Sequence, residues 1–525
     1  MTANDLIAAF ETLADAPDGV KRLRELVLQL AVRGKLVSGA DGWPTVPLSD
    51  VVEDFQNGTS SRGGERGEPV VVLRLADIKQ GRIVPSSFRK IDLSADSAAK
   101  YRVREGDVLA IRVNGSGDLV GRMILVEQSE GWCYCDHLIR VRLRPNTLVP
   151  RFLSLFGNTP DARDHLSSVT VTTAGQKTVN QKGLGSLRVP LPPLAEQHRI
   201  VARVDELMGL LDRLEAARTA RDDVRRAARD AALAALRDAE DTDAVEAAWG
   251  RIAGQMDALF AEPGDVGRLR QAVLGLAVRG RLVPQDAKDE PSDKALARID
   301  SERASKAAVS GARPKRPASD LVPPFSLPPT WRWVELVRVA DVIDPNPSHR
   351  MPEYVAEGVP FISTENFVGG DLIDFSIGKK VRSDTLAAQV ERFNIPKGAF
   401  AMSRIGTIGK TCILPTERFF CMSHALCVIG PFSSDISTSF LRLVVTSPPV
   451  LRQAQEGVNS IGTPDLGMGK IRSFVIPWPP SGEQGRIVAK VDALMALCDA
   501  LEARLTSARD LHGQFAAAAV HHLDV

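Results

Sequence analysis

Apolar residues recur at alternating spacings of four and three in two places: Ile200, Val204, Leu207, Leu211 and Leu214, then Ile487, Val491, Leu494, Cys498, Leu501 and Leu505. That spacing lines one face of a helix with a narrow apolar stripe, the seam of a coiled coil. Leu23, Val27 and Leu30, and likewise Leu269, Val273 and Leu276, continue the theme. Pro192, Pro193, Pro479 and Pro480 suit a helix entry and not its interior, so the long helices are expected to start just after them. A helix over about 194–236 would be on the order of 60 Å long. The alternative, two shorter helices broken near Arg218 to Arg229, stays open.

Between the helices the period changes. VVVLRLADI (70–78), DVLAIRV (107–113) and GRMILVE (121–127) read as short strands bounded by Gly, Asp and Ser turns. VPFISTENF (359–367), GAFAMSRIGTIGK (398–410) and FFCMSHALCVIG (419–430) answer them later in the chain.

The correspondence is an internal repeat. Residues 20–37 and 266–283 share 13 of 18 positions at an offset of 246, and residues 192–208 and 479–495 share 12 of 17 at an offset of 287. The offsets differ by 41, and the extra chain is visible: 5 residues separate Val37 from Trp43, whereas 47 separate Val283 from Trp331. That insert turns Pro-rich at 312–329, reading as a linker, and its middle, around 291–309, reads as a short helix.

Each half thus runs helix, globular segment, Pro-Pro, helix. The expected divisions are an N-terminal helical segment (1–42), a first mixed α/β domain (43–190), a central helical spacer (191–283), a charged and Pro-rich connector (284–330), a second α/β domain (331–477) and a C-terminal helix (478–525). The expected fold class is α/β, two divergent copies of one domain in a pseudo-twofold repeat.

Charge changes this picture little. The chain carries 66 Lys and Arg against 65 Asp and Glu; residues 43–190 hold 20 basic and 16 acidic side chains, and residues 331–477 hold 15 and 14. Net charge alone does not announce a polyanionic partner. The 6 cysteines form no disulfide framework, MTANDLIAAF lacks the basic and apolar regions of a signal peptide, and no apolar stretch reaches membrane-span length, so a reducing cytoplasm is expected.

The motifs for chemistry fail on inspection. SRIGTIGKT (403–411) ends like a phosphate-binding loop in Gly409, Lys410 and Thr411, but Arg404 stands at the required first glycine and no helix signal follows. A tight strand-turn-strand corner exposing Arg404 and Lys410 is expected instead. Asp344, Pro345, Asn346 and Pro347 partly match the Asp/Asn-Pro-Pro-aromatic motif of amino-methyltransferases but lack the adjacent second proline and the aromatic, so a turn is expected. Cys133, Cys135 and His137, and Cys421, His424 and Cys427, lack paired CxxC spacing and read as packing rather than metal ligands. His198 reads as a helix residue, replaced by Gly485 in the repeat. No metal, cofactor or catalytic group is assigned.

The combination resembles the specificity subunits of Type I restriction and modification systems. The residues that carry the resemblance are PLPPLAEQHRIVARVDELM (190–208), its copy PWPPSGEQGRIVAKVDALM (477–495), SRIGTIGK, TTAGQKTVNQKGLGSLRVPLPP (172–193) and the insert at 302–336. The resemblance implies a non-catalytic reader of double-stranded DNA with two target-recognition domains, spaced by helix pairs that form antiparallel coiled coils. It implies two modification subunits as partners, which bind S-adenosylmethionine and methylate adenine, and restriction subunits that cleave with ATP and Mg. The second copy departs at Ser481 and Gly482, and its closing loop (459–477) lacks the pair Gln176 and Lys177. A coiled-coil scaffold whose α/β domains bind something other than DNA is the competing reading.

If each domain reads one half of an asymmetric split target, polar and basic residues on loops are the candidates. In the first domain these are Gln56, Asn57, Thr59, Ser60, Arg62, Arg112, Asn114, Gln176, Lys177 and Asn180. In the second they are Asn346, His349, Arg350, Thr364, Asn366, Arg404, Thr407, Lys410, Asn459 and Ser460.

Overall fold

Pro192–Pro193 and Pro479–Pro480 do what their chemistry requires: helices begin directly after them and run as Leu194–Asp238 and Ser481–Asp524. The computed structural model describes residues 10–524 except 11, 12, 17, 38–41, 63, 64, 80, 85–87, 117, 174, 311–322, 349, 370 and 459–461. The first long helix is continuous through Arg218 to Arg229, which decides against the broken alternative. The described residues divide into two compact units, the first closing at Asp222 and the second opening at Asp223, with Ala508 onward grouped with the first.

In the first unit, the helix Gly19–Val32 packs on the start of the spacer helix Leu194–Asp238. Leu23, Val27 and Leu30 share a core with Ile200, Val204, Leu207 and Leu211, all buried. Each such buried aliphatic side chain contributes about 1.5–3 kcal/mol. Ion pairs give the direction: Asp15 meets Arg221 at 2.6 Å, and Arg24 meets Asp212 and Glu215, each at 2.8 Å. Residue numbers rise on one helix as they fall on the other, so the pair is antiparallel.

The second unit repeats this. Leu269, Val273 and Leu276 of Val266–Ala277 share a core with Ile487, Val491, Leu494, Cys498 and Leu501 of the closing helix. Arg270 meets Asp499 at 2.6 Å and Glu502 at 2.7 Å, the same fork at offsets of 246 and 287. The repeated sequence therefore encodes one helix pair twice, register included.

Each α/β domain is tied off by its own first and last strands. Thr45–Pro47 pairs antiparallel with Arg188–Pro190, and Arg332–Glu335 with Val475–Trp478. The repeated Glu-Gln dipeptide fastens this closure to the helices. Trp43 Nε1 donates to Glu196 Oε2 at 3.0 Å and Trp331 Nε1 to Glu483 Oε2 at 2.9 Å, while Gln197 and Gln484 donate to the Pro192 and Pro479 carbonyls at 2.8 and 3.1 Å.

Inside that closure the two domains share a sheet plan. A four-stranded antiparallel sheet is ordered Val52–Asn57, Leu138–Leu143, Val108–Ile111, Met123–Leu125 in the first, and Ala340–Ile343, Leu426–Pro431, Phe400–Ser403, Thr411–Ile413 in the second. The interior strands VLAI and FAMS are buried at every position, as central strands covered on both faces should be. A second, mixed sheet carries Glu68–Leu73 or Val359–Ile362, with Cys133–Tyr134 or Cys421–Met422 parallel to it.

Two strand expectations shorten. The run 70–78 stops at Leu73, because the Asp77 carboxylate accepts from the Arg74 backbone N–H at 2.8 Å and folds Leu75–Asp77 into a 3₁₀ turn; Asn366 does the same for Thr364–Asn366 through the Ser363 N–H, also at 2.8 Å. The expected connector helix is present as Ser292–Ser310, strapped to the second domain by Arg332–Asp293 and Arg338–Asp300, each at 2.6 Å. Among the described residues no helix is long and apolar enough to cross a membrane.

Candidate nucleic-acid interface

At one end of the first four-stranded sheet, four segments meet. The chain leaves Val52–Asn57 into the loop at 58–62, and Val108–Ile111 continues through Arg112 into Val113–Asn114. Asn114 pairs with Lys177 on the hairpin Val171–Thr173/Gln176–Thr178, and Thr59 bridges to Cys135. Close approach fixes residue type at Gly58: a Cβ there would lie 2.1 Å from the Cys135 carbonyl oxygen.

The turn between Cys135 and Leu138 organises this end. Arg62 Nη2 lies 3.1 Å from Asp136 Oδ1, and Arg112 Nη1 donates to the Asp136 carbonyl at 3.0 Å. Gln181 Nε2 reaches Asn57 Oδ1 at 3.2 Å, and Gln56 Nε2 donates to the Asn57 carbonyl at 2.9 Å. Gln56, Asn57, Ser60, Arg62, Arg112, Asn114, Gln176 and Lys177 thus share one surface, exposed or half-buried. Two first-domain candidates have structural duties. Thr59 is buried with its Oγ1 accepting from the Ser61 N–H at 3.1 Å, and Asn180 caps the helix Gln181–Gly185 through the Gly183 N–H at 2.7 Å.

The second domain corrects more of the expectations. Arg404 occupies the place of Arg112: its N–H bonds the Ala425 carbonyl as that of Arg112 bonds His137. Yet Arg404 is 1% exposed, because Nη1 is consumed by Asp465 Oδ1 at 2.9 Å and the Leu466 carbonyl at 3.0 Å. The corner at 404–410 is a strand-turn-strand, as expected, with Gly406 and Gly409 at positive φ and a strand, not a helix, following. It buries its arginine instead of displaying it. Lys410 is exposed in part, but its amine donates to the Phe367 carbonyl.

Asn366 is buried and fully used, its amide donating to the Asp374 and Ile377 carbonyls at 2.9 and 3.0 Å. Asn346 is buried in the Asp344-to-Arg350 turn, donating to the Arg350 carbonyl at 3.0 Å. Thr364 sits half-buried in its 3₁₀ turn with Oγ1 inside the protein. Arg350 and Thr407 are exposed. His349, Asn459 and Ser460 lie outside the described residues.

The residue missed in the sequence is Asp136, whose negative charge argues against contact with DNA phosphates and whose partners are remote in sequence. His137 was visible only as part of the Cys133, Cys135, His137 alternation. The six cysteines are buried, and burial pushes the thiols of Cys421 and Cys427 up to about 11 and about 12. Cys135 Sγ and Asp136 Oδ1 approach His137 Nδ1 to 3.8 and 3.3 Å, a spacing a metal ion could bridge. The Asp136 carboxylate is already shared with the Arg62 guanidinium, so the trio serves the polar network.

What the surface offers is hydrogen-bonding fork groups, Arg and Asn or Gln, on a rigid sheet end, the side-chain types that match base edges. Known proteins carry the same organisation. The family model for the Type I restriction modification DNA specificity domain matches residues 40–221 and again 331–508. The Type I restriction enzyme StySPI specificity subunit of Salmonella potsdam is 39% identical over 212 residues, which are 39% of this chain and 45% of that one. The EcoAI specificity subunit of Escherichia coli is 24% identical over 545 residues, spanning 94% and 91% of the two chains. A solved structure described as the basis of assembly and conformational transition of the Type I R-M system shares the fold at a TM-score of 0.51 and 19% identity, covering 92% of this chain and 98% of that one. Two family matches lying on two copies of one domain, each tied by Trp and Glu to its helix pair, make the chain a member of the Type I restriction modification DNA specificity family, whose work is DNA sequence recognition in a Type I system.

Proposed function

We propose that the chain reads a bipartite, asymmetric DNA target, one half-site per domain, and directs adenine methylation or cleavage by partner subunits. One observation carries this reading: the framework is duplicated to the level of individual ion pairs, while the sheet ends that face outward differ. Arg24 with Asp212 and Glu215 recurs as Arg270 with Asp499 and Glu502, but half-exposed Arg112 recurs as buried Arg404. Equal frames with unequal reading ends suit two unlike half-sites at a fixed separation.

The first-domain contacts come from Gln56, Asn57, Ser60, Arg62, Arg112, Asn114, Gln176 and Lys177, and the second-domain contacts include Arg350 and Thr407. Arg and Asn address guanine and adenine, and Lys177 the phosphates. Two modification subunits supply S-adenosylmethionine chemistry, and restriction subunits supply ATP- and Mg-dependent cleavage; this chain supplies the address.

The test is to express the chain with the modification subunits of its own system and map methylated adenines in the host genome. A single split motif with two different halves is expected. A continuous or symmetric motif, or duplex DNA binding that ignores salt, counts against the reading, because phosphate contacts weaken steeply as salt rises.

A further inference from the structure

We propose that Asp136 is the positioning residue of the first domain's reading end, and that Arg62, held by it, reads a guanine in that domain's half-site. The inference rests on the proposed DNA-reading role and adds to it a residue pair, a base and a chemical difference between the half-sites.

The Arg62 side chain is 63% exposed, yet its guanidinium is not loose: Nη2 lies 3.1 and 3.4 Å from the two Asp136 carboxylate oxygens. The backbone around it is pinned as well. Arg89 donates to the Arg62 carbonyl, the Asp136 N–H donates to the Thr59 carbonyl at 2.9 Å, and the Asp136 carbonyl takes Arg112 Nη1 at 3.0 Å. One aspartate thus holds two arginines, one through its side chain and one through its main chain.

An arginine side chain carries roughly 2 kcal/mol of rotamer entropy, much of which must be given up on binding; a guanidinium already held by a carboxylate has surrendered part of it beforehand. Asp136 engages one guanidinium nitrogen and leaves donors on the others, enough for the two-point contact to guanine O6 and N7. The carboxylate also speaks against a phosphate as Arg62's partner, since it would repel one; a base edge in the groove carries no such charge.

Among the described residues the second domain lacks the device. The shared strand register places His424 where the first domain has Asp136, and Ala425 where it has His137. Arg404, the counterpart of Arg112, is sealed by Asp465. The guanidinium–carboxylate reader, as far as the described residues go, therefore belongs to the first domain's half-site.

The experiment uses the full chain assembled with its modification subunits. After the methylated motif is mapped, methylation is measured on duplexes in which each base pair of the motif is replaced in turn, for wild type, R62A, D136A and the double variant. R62A and D136A should relax the same G·C position by roughly tenfold to a hundredfold and leave the other half-site unchanged. The double variant should be no more relaxed than R62A, because Asp136 acts through Arg62. Exposed Arg62 can be removed without threatening the fold, so R62A stands even if D136A unfolds.

Uniform weakening on every duplex, with the salt slope reduced by about one, makes Arg62 a phosphate contact and overturns the proposal. Relaxation in D136A with R62A unchanged overturns it too, as does no relaxed position in either. A wild-type complex that methylates no motif at all overturns the DNA-reading role itself, a separate failure.

Discussion

Lengthening the spacer helix by a whole number of turns should move the half-sites apart without changing what either domain reads. No residue from Asp212 to Ala228 is buried, although Arg218 and Arg221 hold Ala14 and Asp15. The place to insert is therefore after Val224, 71% exposed and three residues past the last of those contacts. The closing helix also passes from one unit's residues to the other's, at Ser507 to Ala508, so a matched insertion belongs after Ser507. Seven helical residues add about 10.5 Å and turn the helix by about 700°, within roughly 20° of two full turns, so the buried faces at either end keep their phase. At 3.4 Å per base pair that is about three base pairs of added spacer. Two residues in each helix instead add only about 3 Å but rotate the helix beyond the insertion by about 200°, putting the buried face of Leu233 and Leu236 out of phase with that of Ile200 and Val204. Methylome mapping should give the original half-sites with a longer spacer for the seven-residue variant, and loss of methylation for the two-residue one. Unchanged spacing in the first, or altered half-site bases, would refute the helix as ruler.

Two further predictions concern stability. Asp107 is 3% exposed and receives both arms of Arg142, at 2.8 and 2.7 Å, so D107A leaves a guanidinium unpaired and should cost about 3 kcal/mol, read as a lower denaturant midpoint with the second domain's unfolding unchanged. Burial pushes the Glu483 carboxyl above its ordinary range, with the Trp331 indole opposing the shift. A carboxyl that binds its proton more tightly when folded lends stability that is complete below the unfolded value near 4.5 and is lost as pH rises through the raised folded value. E483Q should flatten that slope above the unfolded value near 4.5 in denaturant titrations; an identical slope in both proteins would show that Glu483 is not its source.

The helical frame was legible because duplication printed it twice. Positions such as Arg24 and Arg270, or Glu196 and Glu483, coincide in both copies since each copy must close the same helix pair on the same tryptophan. The limits expected for the two α/β domains, at Trp43 and Trp331, rest on the same signal. The reading ends were less legible because a polar loop residue has two uses that look alike in sequence. Asn346 and Asn366 satisfy carbonyls that the turns would otherwise bury unpaired, a structural duty that depends on where Arg350, Asp374 and Ile377 arrive in space. Asp136 escaped for the opposite reason: its role comes from Arg62 and Arg112, which are 74 and 24 residues away.

Arg112 and Arg404 offer a direct trial of that distinction, since they share one register position and differ in surroundings. Removing Arg404 empties a fully buried position and strips the Leu466 carbonyl of its partner, while Asp465 is 46% exposed and can turn to water, so R404A should destabilise the second domain by roughly 3 kcal/mol. Any change in recognition there should follow unfolding and disappear when the variant is assayed well below its melting temperature. Arg112 is half-buried and holds only a main-chain carbonyl, so R112A should cost about 1 kcal/mol of stability while shifting base preference in the first half-site at every temperature. Thermal melts paired with methylation on base-substituted duplexes separate the two. If R404A relaxed a base preference while fully folded, burial in the free chain would have to open on DNA, and the division between structural and reading arginines drawn from these contacts would fail.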